Sequence, residues 1–181
     1  MADCIFLIGP GGTGKSTVGK ILSVMLGYTA IDLDDEFCER IMNIREFIKL
    51  HGYESYLEQN SALLKKLLFE YRGYNSLFIL SSGFLSTDIR PDIVEDNRNR
   101  VSANGFSVLL MPSRNYDESL ECILNRQVNR GFSLVREREQ EKFRQRYHEY
   151  IELGNLKIFS MGDPEYIAAK IERALSKRSP H

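Results

Sequence analysis

Short apolar runs alternate with longer stretches of helical periodicity along most of the chain. The apolar runs lie at residues 4–8, 29–32, 76–81, 106–111 and 156–159, and each has the length of a strand. Segments with helical patterns separate most of them. Because strands that alternate with helices usually form a parallel sheet covered on both faces, the pattern predicts a fold of the α/β class. At 181 residues the chain fits a single domain.

Two segments show the clearest helical patterns, residues 15–26 and residues 53–71. In the second segment, apolar side chains recur on one helical face: Tyr56, Leu57, Leu63, Leu64, Leu67 and Leu68. A stripe of this kind usually packs against a core and seldom binds a cofactor. We therefore expect residues 53–71 to form a helix that covers the sheet.

A glycine-rich segment joins the first strand to the first helix. Residues 9–17 read Gly-Pro-Gly-Gly-Thr-Gly-Lys-Ser-Thr and match the phosphate-loop pattern G-x-x-x-x-G-K-[ST]. Glycines let backbone N–H groups approach phosphate oxygens, and the amino terminus of the following helix favours an anion. The segment therefore predicts a nucleoside-triphosphate site, with these residues as its ligands: Gly11, Gly12, Thr13, Gly14, Lys15, Ser16 and Thr17.

Two side chains of this segment have separate roles in such a site. The ammonium group of Lys15 can reach the β- and γ-phosphates, and the hydroxyl of Ser16 can bind Mg²⁺. We expect ATP and Mg²⁺ as the nucleotide and the metal ion.

Composition argues against a nucleic acid or a membrane as the partner. The chain has 24 basic and 25 acidic residues and a net charge of −1, so no basic excess points to a nucleic acid. No apolar stretch reaches the ~20 residues of a membrane span, and the first strand begins too early for a signal peptide. We expect a cytoplasmic monomer that acts on a small-molecule acceptor. Three scattered cysteines without a metal-binding pattern are expected to be reduced core thiols.

Acidic residues follow the second predicted strand. Asp32 and Asp34 stand two residues apart, so their side chains point the same way in an extended or turning segment. The carboxyl end of a strand beside a phosphate loop is a common ligand site in α/β proteins. One carboxylate can serve Mg²⁺, and Asp34 is placed to orient an acceptor hydroxyl and take its proton. The alternative is a helix N-cap, which we assign to Asp35.

An arginine-rich segment precedes the last predicted strand. Its members are Arg126, Arg130, Arg136, Arg138, Arg144 and Arg146. A charge run of this kind is often a solvated helix face. As a group, these arginines also lie where a lid could close over phosphates. Both interpretations stay open from the residues alone.

Taken together, these motifs resemble the shikimate kinase family of P-loop kinases. The resemblance rests on the phosphate loop, on Asp32-Leu33-Asp34, on Ser81-Ser82-Gly83 after the third strand, and on Arg146 followed by Tyr150. It implies a five-stranded parallel sheet flanked by helices in one domain over residues 1–181. It also implies a substrate-binding helical region at about residues 33–72 and a mobile lid at about residues 127–138.

The resemblance assigns roles residue by residue on the nucleotide side. Lys15 would bind phosphates, Ser16 and Asp32 would serve Mg²⁺, and Arg126 would lie against adenine. Arg130 is the candidate for the lid arginine that stabilises the transferring charge.

On the acceptor side, Asp34 would hold the reacting hydroxyl, Gly83 would contact the substrate ring and Arg146 would pair with the substrate carboxylate. The implied activity is transfer of the γ-phosphoryl group of MgATP to a hydroxyl of shikimate or of a related cyclic or polyhydroxy compound.

Two departures from the family pattern fall on the acceptor side. Leu57 stands where the family has a second arginine of its carboxylate clamp. Losing one of two charged partners would cost on the order of 2 kcal/mol, which favours an acceptor without the usual carboxylate. Ser82-Gly83-Phe84 replaces a glycine triplet, so we expect Ser82 and Phe84 to reshape that wall of the site.

Two further functions remain as alternatives to this kinase activity. One is a nucleotide-binding regulatory protein that has the same scaffold but no efficient catalysis. The other is a nucleoside or nucleotide kinase. Substrate-dependent ADP release against a panel of acceptors discriminates among the three.

Overall fold

The structure of the protein, a computed structural model, describes residues 2–129 and 136–178. Within these ranges the chain forms five strands and eight helices. The strands are β1 (Cys4–Ile8), β2 (Thr29–Asp32), β3 (Ser76–Ile79), β4 (Phe106–Met111) and β5 (Leu156–Phe159). The helices are α1 (Lys15–Leu26), α2 (Leu33–Arg40), α3 (Ile44–His51), α4 (Tyr53–Glu70), α5 (Pro91–Asn104), α6 (Tyr116–Asn129), α7 (Arg136–Tyr150) and α8 (Pro164–Ser176).

The five strands form one parallel sheet in the order β2-β3-β1-β4-β5. This confirms the predicted α/β class and its parallel sheet. The third strand is shorter than predicted, because it ends at Ile79 rather than at residue 81. Leu80 still donates its N–H to the carbonyl of Leu7, and the chain then turns. Because β2, β3 and β1 are parallel neighbours, their carboxyl ends lie at the same end of the sheet.

Side chains of β1 alternate between the two faces of the sheet. Phe6 and Ile8 belong to a core cluster that includes residues of α4, α5, α6 and α7. Ile5 and Leu7 belong to a second cluster, with residues of α1 and α8. Each fully buried side chain of this size contributes about 1.5–3 kcal/mol. The two core clusters thus hold β1 from both faces of the sheet, directly before the phosphate loop.

The predicted stripe on α4 packs into the core. Leu57, Leu63, Leu64 and Leu67 are all buried, and Leu68 packs against them while partly exposed. The helix therefore lies fixed on the sheet and presents its first turns to the carboxyl edge.

Two expectations from composition can be compared with the described residues. Cys4, Cys38 and Cys122 are free thiols, but Cys38 is exposed and the other two are only partly buried. The prediction of core thiols is wrong in this respect, because Cys38 lies on the solvent side of α2. Within residues 2–129 and 136–178, no helix combines the length and apolar character that crossing a membrane requires.

Candidate active site

The phosphate loop connects β1 to α1. Gly12 and Gly14 have φ angles of 81° and 86°, which side chains with a Cβ rarely adopt, and Gly14 caps the amino terminus of α1. Inside the loop, Lys15 Nζ donates to the carbonyl oxygens of Gly9 and Pro10, at 2.7 Å and 3.0 Å. The side chain predicted to bind phosphates therefore lies in the concave side of the loop.

Helix α6 supports the loop from its other side. The guanidinium of Arg126 donates to the carbonyls of Gly12 and Thr13, at 3.4 Å and 3.3 Å. A Cβ on Gly11 would lie 2.9 Å from Gln127 Nε2, so the end of that side chain would have to shift. The predicted contact between Arg126 and adenine stays a prediction, but its hydrogen bonds give it a second role in holding the loop.

Asp32 joins the phosphate loop to α2. Its Oδ2 accepts a hydrogen bond from Ser16 Oγ at 2.6 Å, and its Oδ1 accepts from the N–H of Asp34 at 3.0 Å. Asp32 is therefore the N-cap of α2. The assignment of the cap to Asp35 is wrong, because α2 begins at Leu33 and places Asp35 in its first turn. There Asp35 forms an exposed ion pair with Lys20 at 3.6 Å.

Asp34 lies at the boundary between two cavities. One cavity, of about 240 Å³, is lined by the phosphate loop, Asp32 and Asp34. The other, of about 640 Å³, is lined by Asp34 and by residues of α3, α4 and α7. The Asp34 carboxylate accepts a hydrogen bond from the Ser81 hydroxyl. One face of Asp34 is open to the cavities, while protein atoms enclose the rest.

The surroundings of Asp34 raise the pKa of its carboxyl group. Burial is the largest cause, and the nearby charge of Asp32 acts in the same direction. The hydrogen bond from Ser81 and the positive charge of Lys15 lower the pKa and so oppose part of this effect. A carboxylate with a raised pKa is a better proton acceptor, which suits the role predicted for Asp34.

Asp34 is next to a network of buried polar side chains, which the sequence patterns did not predict. Asn60 Nδ2 donates to Ser81 Oγ at 3.1 Å and to Tyr56 Oη at 3.3 Å. Burial, followed by the charge of Asp34, raises the pKa of Tyr56 above its ordinary value, so its hydroxyl stays protonated. A polar residue at position 60 within the apolar stripe of α4 was the available signal.

The larger cavity, here called the acceptor cavity, contains the predicted substrate residues Asp34, Gly83 and Arg146. Arg146 donates to Ser82 Oγ and to Tyr53 Oη, both at 3.4 Å. A Cβ on Gly83 would lie 2.7 Å from Tyr53 Oη and 3.2 Å from a guanidinium nitrogen of Arg146. Gly83 thus leaves room for these two side chains to meet beside the cavity.

The two departures at Leu57 and Phe84 lie away from this cavity. Leu57 is 4% exposed and Phe84 is 3% exposed, and both belong to the core cluster that α4 covers. The expectation that Phe84 reshapes the cavity wall is wrong, because its side chain packs inward. Ser82 does line the cavity, as expected.

Two cations of the acceptor cavity were not singled out in the sequence. Arg45, in the first turn of α3, and Lys142, on α7, line it together with Arg146. The acidic side chains on the same wall are Asp34 and Asp88. Lys142 also lies 3.5 Å from Glu139. Arg45 carries no local motif, so only the fold, which brings residues of α3 and α7 to the same cavity, reveals it.

The arginine-rich segment divides into two groups. Arg136, Arg138 and Arg144 are exposed, as on a solvated helix face. Arg126 and Arg146 are half-buried and face the loop and the acceptor cavity. Arg130 and residues 131–135 of the predicted lid at residues 127–138 lie outside the described residues.

Tyr150 fixes the loop that follows β3. Its side chain is 1% exposed, and its hydroxyl donates to the carbonyl of Ser82. Because Arg146 lies one helical turn earlier on α7, the same helix positions a cation in the cavity and holds the cavity wall. This accounts for the pairing of Arg146 with Tyr150 in the sequence.

Comparisons with known proteins agree with this geometry. The family model for shikimate kinase matches residues 11–176. The chain is 31% identical over 123 residues to the shikimate kinase of Persephonella marina, covering 67% of this chain and 65% of that enzyme. It is 30% identical over 121 residues to the pentafunctional AROM polypeptide of Eremothecium gossypii, covering 66% of this chain and 7% of that polypeptide. The match thus spans less than two thirds of either relative.

A solved structure shows the same fold. The shikimate kinase from Acinetobacter baumannii in complex with shikimate aligns with a TM-score of 0.76 and 22% identity, covering 99% of this chain and 97% of that one. Since the family model spans most of the sequence, the chain belongs to the shikimate kinase family.

Proposed function

We propose that the protein transfers the γ-phosphoryl group of MgATP to a hydroxyl of shikimate or of a related cyclic or polyhydroxy acceptor. The observation that carries this proposal is the position of Asp34, which lines both the phosphate-loop cavity and the acceptor cavity. Only a group placed between the two can act on an acceptor hydroxyl while the phosphate stands on the other side.

The residues on the phosphate side support binding of a triphosphate. Lys15, the glycines of the loop and the amino terminus of α1 supply positive charge and N–H donors. Ser16 and Asp32 lie within hydrogen-bonding distance of each other and offer the hard oxygen ligands that Mg²⁺ prefers. These two residues would hold the ion, which supplies charge neutralisation on the phosphate oxygens when bound.

On the acceptor side, Asp34 would accept the proton of the reacting hydroxyl and orient its oxygen for attack. Ser81 fixes the carboxylate by its hydrogen bond. Arg45, Lys142 and Arg146 line the cavity together with Asp34 and Asp88, and Lys142 also pairs with Glu139 at 3.5 Å. Cationic side chains on the wall of the cavity suit an acceptor that carries a carboxylate. The half-buried Arg146 in this lining supports shikimate or a related acid, since Leu57 is a core residue and leaves the clamp to other side chains.

A coupled ADP-release assay tests the proposal against shikimate, quinate, other cyclitols, sugar acids and nucleosides. We expect ADP release with shikimate or a related cyclic acid. Asp34→Asn should lower turnover about a hundredfold or more and leave ATP affinity nearly unchanged. Tight ATP binding without turnover on any acceptor would instead support a nucleotide-binding regulatory protein. Turnover on nucleosides alone would support a nucleoside or nucleotide kinase. No described contact and no comparison favours either.

The remaining predictions concern the whole protein. We propose that a single kinase domain, with its helical region at residues 33–72 and a lid at residues 127–138, acts without a nucleic acid or membrane partner. A monomeric state and a cytoplasmic location stay predictions, which gel filtration and cell fractionation can test.

A further inference from the structure

A buried amide lies directly behind the catalytic side of the acceptor cavity. Asn60, on α4, is 2% exposed. Its Nδ2 group donates to both Ser81 Oγ and Tyr56 Oη. Its Oδ1 has no hydrogen-bond partner in the part of the chain that the structure describes. A buried acceptor left in this way is costly, so the arrangement needs a physical reason.

The hydrogen bonds around Ser81 fix the orientation of the amide. A serine hydroxyl has one proton, and that of Ser81 is donated to the Asp34 carboxylate. Ser81 Oγ can therefore only accept a bond from Asn60. The reversed amide would turn its oxygen toward Ser81 Oγ, which has no second proton to donate, and the bond to Ser81 would be lost.

The second bond of the amide has a consequence for the acceptor cavity. Tyr56 Oη accepts from Asn60, so its own proton is left to be donated elsewhere. Tyr56 lines the acceptor cavity beside Ser81, so that proton can be donated to Ser81 Oγ or to an oxygen atom of a bound acceptor. One amide thus donates to two hydroxyl oxygens, leaving the Ser81 proton to Asp34 and the Tyr56 proton available on the side of the acceptor cavity.

We propose that Asn60 is a positioning residue for phosphoryl transfer, acting through Ser81 on Asp34 and through Tyr56 on the acceptor. This inference rests on the proposed kinase activity. It accounts for the unpartnered Oδ1, since an amide that must donate both protons toward one side has its oxygen on the other.

The test compares three variants in steady-state kinetics with the best acceptor. Asn60→Leu keeps the branched shape of the side chain with a larger volume, and it removes both donors together with the unpartnered oxygen. We expect kcat to fall about tenfold, KM for ATP to stay within about twofold, and the unfolding midpoint to stay or rise. Asn60→Asp places an acceptor-only group beside Ser81 and Tyr56 and should lower kcat about thirtyfold or more.

Asn97 offers a matched control on α5. It is also 2% exposed, but both ends of its amide are paired, with the Phe84 carbonyl at 2.9 Å and with the Ser61 hydroxyl at 2.6 Å. Asn97→Leu should lower the unfolding midpoint and leave kcat within about twofold. Asn60→Leu is thus expected to lower kcat without lowering the unfolding midpoint, and Asn97→Leu is expected to lower the unfolding midpoint without lowering kcat.

A double-mutant cycle with Ser81→Ala tests the route. If Asn60 acts through Ser81, Asn60→Leu should have a smaller effect on kcat in the Ser81→Ala background, and Ser81→Thr should restore most of the activity. A wild-type kcat in Asn60→Leu would overturn the inference. An Asn60→Leu substitution that lowers kcat equally in the wild-type and Ser81→Ala backgrounds would overturn it as well. Should Asn60→Leu not fold, the isosteric Asn60→Asp decides by the same criteria. Absence of turnover in the wild-type protein would overturn the proposed function and this inference together.

Discussion

The two halves of the site are built in different ways. In the phosphate-loop half, Lys15 bonds to the carbonyls of Gly9 and Pro10, only six and five residues away. In the acceptor half, Ser81 meets Asp34 across 47 residues, and Arg146 meets Tyr53 across 93. The first half is a local arrangement of backbone and glycines, whereas the second is assembled from side chains that only the fold brings together.

This difference explains where the sequence can diverge. A loop that binds phosphate through its backbone needs glycines and one lysine at fixed spacing, so it stays recognisable. A cavity wall made of separate side chains can exchange one cation for another on a different helix. The presence of Arg45 and Lys142 beside Arg146, together with a leucine at position 57, is an arrangement of that kind.

The largest effect is expected in the local half. Lys15→Met removes the one side-chain cation of the loop and should lower kcat on the order of 10³-fold, because charge on the phosphates is no longer neutralised. The matched control is Lys20→Met, on the same helix, whose side chain is 60% exposed and lies 3.6 Å from Asp35. It should change kcat by less than about twofold. Equal losses in both variants would contradict the role of Lys15.

The next effect tests whether position 57 belongs to the core or to the acceptor cavity. Leu57→Arg would place an unpaired guanidinium in the core and should lower the free energy of unfolding by about 3 kcal/mol or more. Leu57→Met keeps the volume and should cost less than about 1.5 kcal/mol. Denaturant unfolding measures both. A stable Leu57→Arg variant with a lower acceptor KM would place position 57 in the cavity instead.

The same contrast shows what the sequence could and could not predict. The strands at residues 4–8 and 106–111 were predicted to the residue, since buried parallel strands carry continuous apolar runs. The loop was predicted because its chemistry is local. Asp35 was mistaken for the cap, since every aspartate near a helix start has the same capping propensity and only the first helical residue selects one.

The acceptor half was harder for a different reason. Arg45 has no local pattern that marks it as functional, and the polar Asn60 in the apolar stripe of α4 does not by itself show which side chains it meets. Their roles depend on the fold, which brings Asn60 to Ser81 after β3 and Arg45 to the acceptor cavity. Phe84 was placed in the cavity because a substitution within a motif was assumed to face the ligand. Burial of large apolar side chains outweighed that assumption, and Phe84 packs into the core.

A smaller effect is expected at the cations of the acceptor cavity. Arg146→Met should raise KM for an acidic acceptor about thirtyfold, because the charged hydrogen bonds to its carboxylate are lost. Arg45→Met should raise the same KM by about fivefold. Arg144→Met is the control on α7, since its exposed guanidinium pairs with Glu141 at 2.9 Å. An acceptor KM that none of the three changes would show that the acceptor binds without its charge.

The smallest effect concerns stability and follows from the raised pKa of Asp34. A carboxyl group whose pKa is higher in the folded state than in the unfolded state destabilises the fold when ionised. The folded protein therefore loses stability as pH rises from the ordinary value of 3.8 through the raised one. Asp34→Asn removes this loss while keeping an oxygen for the Ser81 hydrogen bond, so it should slightly raise the melting temperature at neutral pH.

The pH dependence of the difference in melting temperature between Asp34→Asn and the wild-type protein tests this explanation more directly. The gain in Asp34→Asn should shrink as pH falls and vanish below about 3.8, where the wild-type carboxyl is protonated in both states. Asp35→Asn, one position along α2, is the comparison, because the charge of Asp35 is a minor cause of the raised pKa of Asp34 and its removal should give a smaller gain. Thermal unfolding at a series of pH values measures both variants. A gain in Asp34→Asn that did not depend on pH would mean that packing, and not the charge held at the acceptor cavity, sets the stability of this half of the site.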